Sequence, residues 1–278
     1  MKVTRRQFLY TSGSAALGAA GAGVYTWTIE PHWLEIVRRA LPVHGLPSAL
    51  AGKTLAQISD VHVGPRVNDD YVVGVFARVA ALRPDIVVLT GDLVSYHDGI
   101  FEQMERVYRH FPKGRMATVG IPGNHDYGAA WAQPEVADLV VATARELGIT
   151  MLRNEVHEIE GLQIVGLDDL WAKRFEPARA LARFDDRRPA IALSHNPDTA
   201  DLPVWDGFEG WILSGHTHGG QCKAPFLPPP LLPVRNRLYS RGEFRLSGNR
   251  TMYVNRGVGH LLSVRFNVRP EVTLFELR

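Results

Sequence analysis

Five short phrases in this sequence combine carboxylates, imidazoles and glycines: Asp60-Val61-His62, Gly91-Asp92, Gly123-Asn124-His125-Asp126, Ser194-His195-Asn196-Pro197 and Gly215-His216-Thr217-His218. Of the eleven histidines in the chain, five fall in these phrases. Carboxylate and imidazole donors without a thiolate suit zinc, manganese or iron. One ion needs three or four protein ligands. Asp60, His62, Asp92, Asn124, His195, His216 and His218 are enough for two ions that share a carboxylate. Two divalent ions roughly 3.5–4 Å apart can clamp the attacking and leaving oxygens of a phosphoryl displacement and lower the pKa of a bound water. Taken singly, an Asp-x-His or a Gly-Asp is more often a turn or a helix cap. Gly-Asn-His-Asp and Gly-His-Thr-His are more specific, and all five together argue for a metal centre.

The elements that must carry these residues follow from hydrophobic period. Residues 54–59 are strand-like, and residues 69–82 place Val72, Val75, Phe76 and Val79 at helical spacing behind a cap at Asn68 or Asp69. Residues 85–90 form a continuous run rich in β-branched residues, the mark of a strand buried on both faces. Helix is expected at residues 100–110 and 135–147, and strand at 116–120, at 159–167 with a turn at Gly161, and at 190–194 and 211–214. Short strands follow at 243–246, 251–254, 262–266 and 272–277, so the chain reads as α/β with a β-rich final third. Each of the five phrases then lies at the end of a strand. In open α/β sheets ligands bind outside the carboxyl ends of the strands.

The remaining composition sets bounds. The 278 residues allow a large domain, and the formal charge of +2 gives no global field for nucleic acid. Cys222 is the only cysteine, which excludes a disulfide framework and a cysteine-rich zinc site. Arg5-Arg6-Gln7-Phe8-Leu9 precedes an apolar, Ala/Gly-rich stretch at residues 12–24, the pattern of an export signal. It is similar to a twin-arginine signal, which implies export in the folded state to the periplasm or the outer face of the inner membrane. Lys2, Arg5 and Arg6 account for more than the whole net charge. The stretch is short and glycine-rich for a transmembrane helix, so cleavage and retention as an anchor both stay open. Three parts are expected: a signal or anchor at 1–29, a connecting segment at 30–52 and a catalytic domain at 53–278. In the connecting segment, Trp33, Leu34, Ile36, Val37, Ala40 and Leu41 fit a helical stripe. Such a stripe more often packs on the domain than lies in a membrane interface.

The ordered set D-x-H, G-D, G-N-H-D, H, G-H-x-H resembles the calcineurin-like metallophosphoesterase family. The longer phrases Ser194-His195-Asn196-Pro197-Asp198 and Gly215-His216-Thr217-His218-Gly219-Gly220-Gln221, with the paired arginines, are similar to its exported bacterial phosphodiesterase subgroup, which is related to UDP-2,3-diacylglucosamine hydrolases. The resemblance implies a four-layer αββα sandwich with a binuclear site at the strand ends. It implies that Asp60, His62 and His218 hold one ion, that Asn124, His195 and His216 hold the other, and that Asp92 bridges them. It further implies that His125 is catalytic without being a ligand, that Asp126 orients it, and that a metal-bridging hydroxide attacks phosphorus.

Other residues have two readings each. Asp168 and Asp169 either orient ligating histidines or cap their loop. Arg256 either meets a substrate phosphate or, more often for such a residue, is structural; Cys222 reads as a small buried hydrophobe. The proline-stiffened stretch 224–233 either packs on the final strands or forms an apolar lip that touches acyl chains or a membrane surface. The expected activity is metal-dependent phosphodiester hydrolysis in the cell envelope on a phosphoester that is lipid-linked if the lip reading holds, with peripheral membrane contact. The rivals are a pyrophosphohydrolase of the UDP-2,3-diacylglucosamine type and a non-catalytic envelope-binding protein.

Overall fold

A computed structural model describes residues 4–278; residues 1–3, which begin the expected export signal, lie outside the described residues. Helix α1 (Arg5–Val24) opens on a capping box in which the Thr4 hydroxyl accepts from the Gln7 amide and the Gln7 side chain reaches back to Thr4. No helix among the described residues is long and apolar enough to cross a membrane.

The elements that follow are β1 (Glu35–Leu41), β2 (Thr54–Ile58), α2 (Asp69–Ala81), β3 (Ile86–Thr90), α3 (Ile100–Tyr108), β4 (Ala117–Ile121), α4 (Pro134–Glu146) and β5 (Thr150–Met151). Next come β6 (Glu155–Ile159), β7 (Leu162–Gly166), α5 (Pro177–Leu181), β8 (Ala190–Leu193), β9 (Gly210–Ser214), β10 (Gly242–Arg245), β11 (Arg250–Val254) and β12 (Glu271–Leu277). They form two six-stranded sheets, one ordered β1-β12-β2-β3-β4-β5 and the other β10-β11-β9-β8-β7-β6. In the first, only the β12–β2 pair is antiparallel. In the second, β11, β9, β8 and β7 run parallel, with antiparallel β10 and β6 at the edges.

Side-chain alternation explains the layering. On β3, Val87 and Leu89 join Val75 and Phe76 of α2 and Met104 and Val107 of α3, while Ile86 and Val88 point the other way. There they meet Ile191 and Leu193 of β8 and Leu213 of β9, so the two sheets stack face to face. The outer face of the second sheet is covered by Ala180 of α5 and by Trp205, Phe208 and Tyr239 from irregular segments. The αββα order is therefore present, with a fourth layer made mostly of turns and loops.

Two expected elements are corrected. Residues 33–41 do not form a helix: residues 35–41 are an edge strand in parallel register with β12, from Glu35 opposite Glu271 to Leu41 opposite Leu277. The β12 edge offers a full ladder, which an isolated helix stripe cannot match, and exposed Arg38 and Arg39 keep the new edge polar. Residues 262–266 are not a strand. They are a bent segment with a single bridge from Phe266 to Cys222.

Candidate metal centre

The five phrases all follow the carboxyl ends of strands. Asp60 and His62 follow β2, Asp92 follows β3, and Asn124 and His125 follow β4. His195 follows β8, and His216 and His218 follow β9. The first five thus come from one sheet and its loops and the last three from the other. A buried Gln57 ties the sheets together beneath them, donating to Thr90 Oγ1 at 3.1 Å and to the Ser214 carbonyl at 3.0 Å.

The local backbone is bent sharply toward a common point. Asp60, His62, Asp92, His216 and His218 all have left-handed φ, between 48° and 71°. Each such residue costs on the order of 1–3 kcal/mol and persists only where the surroundings over-determine it. Gly215 lets the strands close up: a Cβ there would lie 1.9 Å from Ser59 Oγ and 2.3 Å from Asp60 Oδ2.

Two groups of donor atoms result, Asp60/His62/His218 and Asp92/His195/His216, each with its atoms within 4.8 Å of one another and each fully buried. In the first, His218 Nε2 is 3.1 Å from His62 Nε2 and 3.3 Å from Asp60 Oδ1. In the second, His195 Nε2 is 3.2 Å from His216 Nδ1 and 3.1 Å from Asp92 Oδ2. The same Asp92 oxygen is 3.5 Å from His62 Nε2, so this carboxylate stands between the groups.

The outer hydrogen bonds set the tautomers. His195 Nδ1 and His216 Nε2 each lie 2.8 Å from a carbonyl, of Thr90 and Pro233 respectively. A carbonyl only accepts, so these nitrogens carry protons, and in a neutral ring the other nitrogen turns a lone pair inward. His62 Nδ1 meets Ser95 Oγ at 3.0 Å, a hydroxyl that can accept or donate and so holds the ring in place without fixing its tautomer. Burial pushes His62 and His216 down to about 3 and His218 well below its ordinary value. Burial, with Asp92 adding and His195 opposing, pushes Asp60 up to about 7. Asp92 and His195 form the tight pair: against burial, each favours the charged form of the other. Asp60 and Asp92 lie among imidazoles of which burial keeps His62, His216 and His218 neutral, an arrangement suited to divalent cations.

Asn124 gives the sharpest test of fit. Both atoms of its amide are buried without a hydrogen-bond partner, as is His218 Nδ1. Buried polar groups are nearly always satisfied, so an orphaned amide beside two carboxylate–imidazole groups fits a cation ligand. The chemistry of the donor set and the orphaned atoms both fit two divalent ions.

His125 is half-buried, with its ring centroid 5.0 Å from that of His62 and 5.9 Å from that of Trp131. Asp126 takes a different part from the one expected. Its oxygens accept from the backbone amides of Val94 at 3.0 Å and Gly123 at 2.8 Å, so it holds the loops that carry the site and makes no hydrogen bond to the His125 ring. Asp168 and Asp169 hold their own loop. Asp168 accepts from Tyr127 and Arg153, and Asp169 accepts from the Ala172 amide at 2.8 Å. Arg256 is paired with Glu271 and Glu35, which makes it structural. Cys222 is a half-buried free thiol.

Several positioning groups escaped the sequence reading. The Arg265 guanidinium is fully buried and donates to the carbonyls of Arg256, Gly257, Gly259 and Val268. It thereby fixes the loop whose Gly259 amide bonds the Asp60 carbonyl at 2.7 Å. Trp171 packs edge-on against His216 at 4.4 Å and tilts against Trp131 at 4.8 Å, so two indoles wall the site. Nothing in their spacing marks them, because they come from loops after different strands. Ser95, three residues beyond Asp92, lies outside the Gly91-Asp92 phrase and was not picked out by it.

The family model described as Calcineurin-like phosphoesterase matches residues 53–220. The chain is 32% identical over 297 residues to the uncharacterized metallophosphoesterase YkuE of Bacillus subtilis (strain 168), with 100% of this chain and 98% of that one covered. It is 31% identical to phosphodiesterase YaeI of Escherichia coli (strain K12), with 99% of both covered. It is 29% identical to UDP-2,3-diacylglucosamine pyrophosphatase LpxG of Chlamydia trachomatis serovar D, with 91% of this chain and 93% of that one covered.

Proposed function

The chain belongs to the calcineurin-like phosphoesterase family and is a metal-dependent phosphoester hydrolase, and from this we propose that it cleaves phosphodiesters in the cell envelope. The observation that carries the reading is the single Asp92 oxygen between the two donor groups, 3.5 Å from His62 Nε2 and 3.1 Å from His195 Nε2. In this reading Asp60, His62 and His218 hold one ion, Asn124, His195 and His216 hold the second, and Asp92 serves both. Bound there, two divalent ions supply Lewis acidity at the phosphoryl oxygens and an activated water. The protein's own part is to fix the donors rigidly, to set the His195 and His216 tautomers through the Thr90 and Pro233 carbonyls, and to hold the His62 ring against Ser95. His125, which is not part of either donor group, stabilises charge on the phosphoryl group or protonates the leaving oxygen.

The diester is favoured by the name of the 31% identical relative. Location in the envelope is supported by the paired Arg5 and Arg6 ahead of the apolar stretch. A second reading, cleavage of a pyrophosphate in a lipid-linked nucleotide, is supported by the LpxG relative and by an apolar lip. Phe226, Leu227 and Leu231 are largely exposed on the segment whose Pro233 carbonyl bonds His216. Peripheral contact with a membrane belongs to both readings.

The test is turnover by the full chain, stripped with a chelator and reloaded with manganese, zinc or iron. Bis-p-nitrophenyl phosphate, p-nitrophenyl phosphate and UDP-2,3-diacylglucosamine are the substrates. Metal-restored cleavage of the diester is expected. Preference for the glycolipid pyrophosphate would replace the first reading with the second, and a protein that binds two ions but cleaves none of the three would remove both.

A further inference from the structure

The two indoles that wall the metal centre have another side. Trp131 and Trp171, together with Leu170, Lys173, Asp198, Asp201, Leu202 and Arg235, line a cavity of about 770 Å³. This is the size of pocket that holds a cofactor-sized ligand. It adjoins the donor groups directly, since the Trp171 ring is 4.4 Å from the His216 ring and the Trp131 ring is 5.9 Å from the His125 ring.

The charges in the cavity are unequal in their availability. Asp198 is occupied by the backbone amides of Arg235 at 2.7 Å and Asn236 at 3.0 Å. Asp201 accepts from Tyr239 at 2.6 Å and from the Asn236 side chain at 2.8 Å. The side chains of Lys173 and Arg235 are exposed, and neither has a hydrogen-bond or ion-pair partner among the described residues. The cavity therefore offers two free cations beside a flat aromatic wall. The backbone that presents these groups is strained: Ala130, Trp131 and Lys173 have φ of 53°, 59° and 59°. Strain in non-glycine residues collects where a ligand must be met.

We propose that this cavity is a substituent subsite. It receives one substituent of the reacting phosphorus that combines a flat face with a second anionic group, the chemistry of a nucleotide. The indoles take the base by stacking, and Lys173 and Arg235 take the second anion. The subsite rests on the phosphodiesterase reading for its reaction but not for its binding. An acyl chain would use the indoles and leave both cations idle, so the cations favour the nucleotide.

The decisive comparison uses thymidine 5′-(p-nitrophenyl phosphate) with and without a 3′-phosphate. Water adds to the 5′-phosphorus, the bond to p-nitrophenol breaks, and p-nitrophenolate and a proton are released. The full chain should prefer the 3′-phosphorylated ester by about ten-fold or more in kcat/KM, the scale of a charge-assisted phosphate contact. In Lys173→Ala/Arg235→Ala that ratio should fall to near one. In Trp171→Leu the advantage of thymidine over the methyl p-nitrophenyl diester should fall, and Trp171→Phe should restore much of it. Titration calorimetry of thymidine 3′,5′-bisphosphate against metal-stripped full chain provides the binding readout, expected to weaken about ten-fold in the double variant. A protein that cleaves no diester but shows this cation-dependent binding would overturn the reaction and keep the subsite. A ratio near one in the parent protein, or preference for decyl p-nitrophenyl phosphate untouched by the double substitution, would overturn the subsite.

Discussion

His125 sets the first question at the scale of single residues, because it stands beside the donors without joining either group. If it acts on the reacting phosphoryl group, His125→Ala should lower kcat by about 10²–10⁴-fold, the range for a positioned acid or charge stabiliser. Bound metal, counted by elemental analysis, should remain near the parent level. Metal lost in proportion to activity would make His125 a ligand. Gly215 poses a steric question: a methyl group would lie 1.9 Å from Ser59 Oγ and 2.3 Å from Asp60 Oδ2. Gly215→Ala should cost about 1–3 kcal/mol in stability, as overpacking does, and should displace Asp60 enough to reduce metal content. Full metal loading at unchanged stability would show that the loop relaxes freely. Most of this site was legible because its donor types are rare and sit in compact phrases. What was illegible is held by long-range contacts: Arg265 reaching four carbonyls, Trp171 reaching His216, and the Pro233 carbonyl that sets the His216 tautomer.

At the scale of elements, the β2, β3, β4, β8 and β9 strands and the α2, α3 and α4 helices lie where hydrophobic period puts them, within a residue or two at their ends. The failures share a cause. Residues 33–41 carry apolar side chains that satisfy a helical stripe, but the free edge of β12 offers seven paired positions and decides the matter. Residues 262–266 look strand-like yet find no full ladder, and Arg265 inside them is turned inward to bind carbonyls. The segment after the second histidine phrase follows the same logic. Its prolines keep it out of the sheet, and Phe226, Leu227 and Leu231 stay exposed. It joins a wider apolar neighbourhood, because the Lys223 amide bonds the Phe266 carbonyl and the Arg265 amide bonds the Thr26 carbonyl near exposed Trp27 and Ile29. If this lip meets lipid, Phe226→Ser/Leu227→Ser should weaken liposome binding, read by sedimentation, by about a hundred-fold or more, since burying each large apolar side chain contributes about 1.5–3 kcal/mol and each 1.4 kcal/mol is a factor of about ten. Turnover of a soluble diester should change little. Equal sedimentation of parent and variant would remove the lip from membrane contact.

For the whole molecule, the important fact is where the donors come from. Asp60 and His62 belong to the first sheet and His218 to the second, while Asp92 belongs to the first and His195 and His216 to the second. Each ion would therefore join the two sheets across the top of the inter-sheet core, above the Gln57 bridge to Thr90 and the Ser214 carbonyl. Without cations that end of the sandwich holds Asp60, pushed up to about 7 by burial, beside imidazoles that burial keeps neutral. Metal binds this arrangement only when both sheets are in place, so it should stabilise the folded state through linkage. An ion at a hundred times its dissociation constant contributes about 2.7 kcal/mol. For a chain of this size that corresponds to a rise in Tm of about 5–11 °C. Removal of both ions by a chelator should lower Tm by about twice that amount, and readdition should restore it. Asn124→Ala, which removes an orphaned amide and little packing, should blunt the metal-dependent part while leaving the metal-free Tm close to that of the parent. Identical melting of stripped and reloaded protein would mean that the sheets are already locked by their apolar interface and that the ions contribute chemistry alone.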